Sequence, residues 1–222
     1  MAIIDKQVAA TADDALMKNE VTLDAANTRL RIYSDVGRSR YSSGARFLAI
    51  DIPLGSTITT AYAEFYVYHA GYDDLDCTIY GNNVDDAKDF VDEADVDGRA
   101  KTAESVAWSE DSLGIGWKGS TKELKAIIQE IIDRPGWVAN QDMVILWIHG
   151  SFAVLKECVA RSWDGDPAEA PKLHIEYDPP AAPPAGNSPG TIIRSFAAPD
   201  QRTLGLTWDS RTLWLCDDGT DR

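Results

Sequence analysis

The chain has 222 residues, 44% of them hydrophobic, with seven Trp and eight Tyr, which is the composition of a folded globular protein and excludes disorder of the whole chain. Its formal net charge of −15 sets it against nucleic acid and anionic membrane surfaces, both of which need clustered Lys and Arg. The three cysteines, Cys77, Cys158 and Cys216, have neither the even count of a disulfide framework nor the spacing of a metal or redox motif.

Residues 1 to 28 are polar with scattered apolar positions, and read as an N-terminal arm or edge strand. They show no basic region followed by an apolar one, so no export signal is visible. From Arg29 the period becomes two, with Leu30 and Ile32 alternating against Arg29, Arg31 and Tyr33. Ala45 to Ile52 is the next strand, closed by the turn Pro53-Leu54-Gly55-Ser56. Thr57 to His69 is the longest strand. Ala61, Ala63, Phe65 and Val67 share its core face, while Tyr62, Glu64, Tyr66 and Tyr68 share the other. An acidic turn with Asp73, Asp74 and Asp76 leads into a strand to Tyr80. Residues 81 to 119 are irregular and strongly acidic, with a short strand at Val106 to Trp108 and a Gly-rich loop around Trp117.

One amphipathic α-helix is expected over about 121–133. Ser120 and Glu123 form a capping-box pattern, Leu124, Ile127, Ile128, Ile131 and Ile132 make one apolar stripe, and Arg134-Pro135-Gly136 stops it. Met143 to His149 is almost wholly apolar and short, the mark of a central strand covered on both faces; its Met143 to Ile148 part is the longest apolar run, far too short to cross a bilayer. Lys156 to Ser162 and Lys172 to Tyr177 are the last strands of this region. The pattern predicts an all-β chain, a jelly-roll β-sandwich over residues 29–178 crossed by one helix. A Pro-rich linker over 179–190 then leads to a tail, 191–222, with strand signals at Ile192 to Phe196, Leu204 to Trp208 and Leu213 to Cys216.

The region from Gly44 to Tyr177 resembles a known family. Ala45-Arg46-Phe47, then Ile52-Pro53-Leu54-Gly55-Ser56-Thr57-Ile58 and Ala61-Tyr62 open the likeness. Thr102 with Trp108, the run Ile127 to Ile132 with Arg134-Pro135-Gly136-Trp137, Asn140, and Ala170 to Tyr177 follow in order. Together they are similar to the carbohydrate-binding-like jelly-roll modules named for their DNRLRE motif, found in secreted and phage structural proteins. The resemblance implies a β-sandwich that binds saccharide or packs in a larger assembly, and carries no residue-level site. The tail, through Ser195 to Pro199, Gly205 to Asp209 and Leu213 to Asp217, resembles the first blade of a β-propeller. That likeness leads to the expectation either that the gene product continues past Arg222 or that the tail docks on another subunit.

Chemistry-bearing patterns are few. His69, His149 and His174 are dispersed in strands, and no nucleophile elbow, zinc motif or phosphate-binding loop occurs. Two oxygen-rich turns are candidate calcium sites, Asp73, Asp74 and Asp76 in one and Asp164 and Asp166 in the other, against the plainer reading of solvated turns. Ring-stacking candidates for a sugar are Tyr62, Tyr66, Tyr68, Tyr72, Trp117 and Trp163. The expected function is a non-enzymatic structural protein of a virion (phage tail, fibre or decoration) or extracellular filament. Its partners are itself or other structural proteins, and it needs no organic cofactor. A carbohydrate-binding adhesion module is the alternative, and a polysaccharide hydrolase the third reading.

Overall fold

The computed structural model describes residues 1–19, 22–34, 39–91, 96–150, 156–181, 203–208 and 213–217. The chain divides into two compact units, Met1–Pro180 and Ala181–Arg222. It is an all-β protein, with one short α-helix among the described residues.

Residues 1 to 28 belong to the first unit. β1 (Ala2–Gln7) is an edge strand, antiparallel to β12 (Lys172–Asp178), and β2 (Asp14–Lys18) pairs with both β3 (Thr22–Asp24) and β5 (Arg40–Ile50). The remaining strands are β4 (Arg29–Ser34), β6 (Thr57–Val67), β7 (Leu75–Gly81), β8 (Val106–Glu110), β9 (Gly116–Lys118), β10 (Gln141–His149) and β11 (Lys156–Arg161). All twelve join one antiparallel sheet, whose main path runs β1-β12-β6-β11-β4-β5-β10-β7-β8.

This sheet folds over on itself. Phe65 on β6 meets Trp108 on β8 with ring centroids 5.4 Å apart, and Trp147 on β10 at 5.6 Å, although several strands separate them in hydrogen-bond order. The alternating apolar residues of β6, β7, β10 and β12 thereby enclose one core, which also takes in Leu30, Ile32, Phe47, Cys77 and Cys158. β10 is buried on both faces, as its unbroken apolar run predicts. Met143, Ile145 and Trp147 enter that core, while Val144 and Leu146 join a second cluster with Met17, Ala87, Phe90 and Val96.

The helix is shorter than its sequence predicts. α1 spans Lys125–Ile132, with Leu124 at its N-cap position and no side-chain cap. Ser120 and Thr121 lie in a turn. Glu123 spends its carboxylate on the backbone N–H groups of Ala61 (2.8 Å) and Lys125 (3.0 Å) instead of completing a capping box. The sheet edge thus wins the carboxylate that the local pattern assigns to the helix. The apolar stripe holds as expected, with Ile127, Ile128, Ile131 and Ile132 buried. Gly81 lets the helix approach β7, since a Cβ there would stand 2.6 Å from Ile131 Cδ1.

The second unit contains one antiparallel hairpin, β13 (Thr203–Trp208) with β14 (Leu213–Asp217). The strand expected at Ile192 to Phe196 lies outside the described residues.

Candidate functional site

Residues that do not enter the core point to the opposite face of the same strands. On β6 these are Tyr62, Glu64 and Tyr66, each set by pairing beside a specific neighbour, and Tyr68 follows just past the end of the strand. On β12, His174 lies opposite Tyr62 and Lys172 opposite Glu64; on β9, Trp117 lies opposite Tyr66. Further across the sheet, β11 presents Arg161, Val159 and Glu157 opposite Arg29, Arg31 and Tyr33 of β4, and Tyr33 in turn faces Tyr41 of β5.

The face so built is a ladder of rings and cations. Lys172 Nζ stands 3.8 Å over the Trp117 ring, and the Arg161 guanidinium 3.8 Å over Tyr68. Arg31 lies 4.8 Å from the centroid of Tyr33 and 4.3 Å from that of Tyr41. Each such contact is worth about 0.5–2 kcal/mol, depending on how far water is excluded. Tyr66 meets Trp117 edge-on at 5.5 Å. Two of the cations are also ion-paired. Arg31 reaches Glu157 Oε1 at 2.6 Å, and Arg161 reaches Glu169 at 3.2 Å.

At one end of this face β1, β12 and β6 enclose a groove of about 300 Å³ that includes Asp5, Tyr62, Glu64, Lys172 and His174. The Tyr62 and His174 rings are stacked, 4.7 Å apart. His174 Nδ1 is 2.7 Å from Asp5 Oδ1, and Nε2 is 3.4 Å from Glu176 Oε1. Burial works to lower the His174 pKa, but its hydrogen bonds to Asp5 and Glu176, and their charges, hold it above the ordinary value. Burial, with Glu64, Asp5 and Glu176 around it, raises that of the Tyr62 hydroxyl.

Four of the six predicted ring residues, Tyr62, Tyr66, Tyr68 and Trp117, therefore share one face. Tyr72 sits apart from the ladder, 43% exposed, with the His69 ring edge-on at 4.6 Å. Trp163 does not join them. It packs against the core and donates its backbone N–H to Asp14 Oδ2 at 2.8 Å. The residues that sequence reading missed are the cations Arg31, Arg161 and Lys172 together with His174.

The acidic turns are bound up in loop geometry. Asp73 Oδ2 accepts from Gly114 N (2.9 Å) and Asp74 Oδ1 from Ser112 N (2.8 Å), tying the Gly-rich loop to the β7 approach. The backbone carbonyl of Asp76 accepts from Gly150 N at 2.8 Å. In the other turn Asp164 Oδ1 accepts from the Thr11 hydroxyl (2.9 Å) and Asp166 Oδ1 from Ala168 N (3.0 Å). Among the described residues no three His, Cys, Asp or Glu side chains converge as a metal site would require.

No family model and no curated protein matches this chain.

Proposed function

We propose that the protein is a non-enzymatic structural module of jelly-roll type, an assembly subunit of a virion or extracellular filament that makes its contacts through the ring-and-cation face. The observation that carries this reading is the state of the rings. Trp117, Tyr68, Tyr33 and Tyr41 each have a cation over them. A pyranose stacks on an open ring face, whereas a protein partner packs against Tyr, Trp and Arg together, the residue types that dominate interface hot spots. Arg31 and Arg161 are already held by carboxylates, so little side-chain freedom is lost when a partner docks on them.

The test is the assembly state of the full chain. Sedimentation and negative-stain microscopy across a concentration series should give oligomers or filaments, and Tyr66→Ala combined with Lys172→Ala should shift them towards monomer without lowering the melting temperature by more than a few degrees. A wild-type protein that stays monomeric at the highest concentration, with no ordered particles, refutes the reading.

A carbohydrate-binding adhesion role is the second reading. One observation favours it: Tyr72 is exposed and, among the described residues, carries no cation over its ring.

A further inference from the structure

We infer that the outer edge of β1 pairs with the β1 edge of a second copy of the chain, antiparallel about a two-fold axis, so that one sheet runs through both copies. The contact uses main-chain groups of the edge rather than the ring-and-cation face, and it goes beyond the function proposed above.

β1 is the terminal strand of the main path, with β12 on one side and no strand on the other. Its register against β12 runs unbroken from Ala2↔Tyr177 to Gln7↔Lys172. One step further, the Val8 N–H bonds the Pro171 carbonyl at 3.0 Å, which makes these two a hydrogen-bonded pair. Such pairs alternate with non-bonded ones along an antiparallel ladder. Ala2, Ile4 and Lys6 therefore give their N–H and C=O groups to β12. The N–H and C=O groups of Ile3, Asp5 and Gln7 point the other way, and they bond no described residue.

An edge of this kind is a template for another strand unless Pro, a bulge or clustered charge blunts it. β8, at the other end of the path, runs into Glu110 and Asp111 and exposes no large apolar side chain. β1 has no Pro and no bulge. Ile3 on it is 55% exposed, beside Met1 at 76%. Its charges offset one another, Asp5 against Lys6, and Asp5 Oδ1 already lies 2.7 Å from His174 Nδ1. In a chain of net charge −15, two copies meet at this edge without the repulsion that their acidic surfaces impose elsewhere.

The strand's own pattern selects the register. Groups that point outward must face each other, so Ile3, Asp5 and Gln7 of one copy pair with the same set of the other. An axis through Asp5 sets the two Asp5 side chains directly opposite, a destabilising like-charge pair. An axis through Ile3 leaves Lys6 and Gln7 without partners. An axis through Ile4 engages the whole strand, with Ile3 opposite Asp5, Ala2 opposite Lys6 and Met1 opposite Gln7. Ile4 packs against the core from the inner face, so Ile4 on Ile4 extends apolar contact from one core to the other. Pairing of like with like closes after two copies, and the product is a dimer rather than a filament.

The experiment is sedimentation equilibrium of the full chain across a concentration series, with thermal melting as the check on folding. Ile3→Pro deletes an N–H that points away from β12, so the fold should stand while the new ladder loses bonds in both copies. The dimer dissociation constant should rise at least about tenfold. Ile3→Asp should do the same, whereas Ile3→Lys should keep or tighten the dimer, because position 3 faces Asp5 of the other copy. A dimer indifferent to Ile3→Pro and Ile3→Asp overturns the inference, and so does one that Ile3→Lys splits as readily as Ile3→Asp. The double variant Tyr66→Ala, Lys172→Ala separates this contact from the ring-and-cation face. Dimers that survive it and dissociate in Ile3→Pro support the inference, whatever becomes of larger oligomers. Association lost in the double variant and kept in Ile3→Pro overturns the inference and leaves the ring-and-cation face standing. A chain that stays monomeric at the highest soluble concentration removes both.

Discussion

Asp14 opens β2 and is buried, 1% exposed. Its Oδ2 accepts the Trp163 backbone N–H at 2.8 Å, while Oδ1 has no hydrogen-bond partner among the described residues. Burial raises its pKa to about 7 from 3.8; the Trp163 bond opposes the shift, and Asp164 and Asp13 add to it. The folded state thus keeps a proton that the unfolded chain releases above pH 4. Stability from this group is full below about pH 4 and is lost as pH rises through about 7. At about 1.4 kcal/mol per pH unit, the full swing is about 4 kcal/mol, and about 2–4 kcal/mol once local relaxation is allowed for. Asp14→Asn keeps the shape and an acceptor for Trp163, and removes the charge. Urea titrations followed by tryptophan fluorescence between pH 4 and pH 9 should show the variant more stable than wild type by that amount at high pH, with the gap closing towards pH 4. His174, with its raised pKa, and Asp86, with its lowered one, also tilt the pH profile, but both are present in both proteins and cancel in the difference. A difference that does not vary with pH, or a variant weaker at pH 9, would show that the fold uses Asp14 as a charged group and refute the argument.

Three further outcomes are expected. Arg46 gives Nη1 to Asp13 (2.9 Å), Nη2 to Asp142 (2.5 Å) and Nε to the Ala87 carbonyl (3.0 Å), so Arg46→Met should cost about 3–5 kcal/mol in urea unfolding and expose Lys88 to limited trypsin digestion. Unchanged stability in that variant would mean that the three charges are not coupled. Gly119 has φ +124°, and a Cβ there would lie 2.1 Å from the Ala63 carbonyl oxygen, so Gly119→Ala should lower stability by at least about 1–3 kcal/mol, read by calorimetry. Burial raises the pKa of both Cys77 and Cys158, so iodoacetamide should leave both unmodified in the native protein and alkylate both in urea, as peptide mass spectrometry would report.

Much of the fold could be read locally. The alternation of Leu173, Ile175 and Tyr177, or of Ala61, Ala63, Phe65 and Val67, marks each inner face without reference to any partner. The unbroken run of β10 correctly signals a strand covered twice. Local reading failed where a side chain had two suitors. Glu123 fits a capping box by spacing, but the Ala61 N–H on β6 takes its carboxylate. The first 28 residues look too polar for a core, yet Val8, Ala15 and Met17 are buried in it. There the sheet edge and β5 supply the other half of the burial, and no window of sequence contains that half.

The ring-and-cation face was half legible for the same reason. The tyrosines from Tyr62 to Tyr68 announce themselves by period two, but the cations of this face come from elsewhere: Arg161 reaches Tyr68, and Lys172 reaches Trp117 on β9, only after β11 and β12 have paired. Register decides this, since a one-residue slip turns every side chain to the other face. On β12 the pairing Leu173 with Ala63 and Ile175 with Ala61 fixes the inner face, and the same register sets His174 on Tyr62 and Lys172 beside Glu64. The outer face is therefore positioned by the core behind it. A substitution that shifts the core register, such as a charge at Ile175, should dismantle the face without touching any residue in it, whereas Tyr66→Ala removes one rung and leaves the register intact. Comparing Lys172 and Trp117 contacts in the two variants by NMR separates positioning from contact.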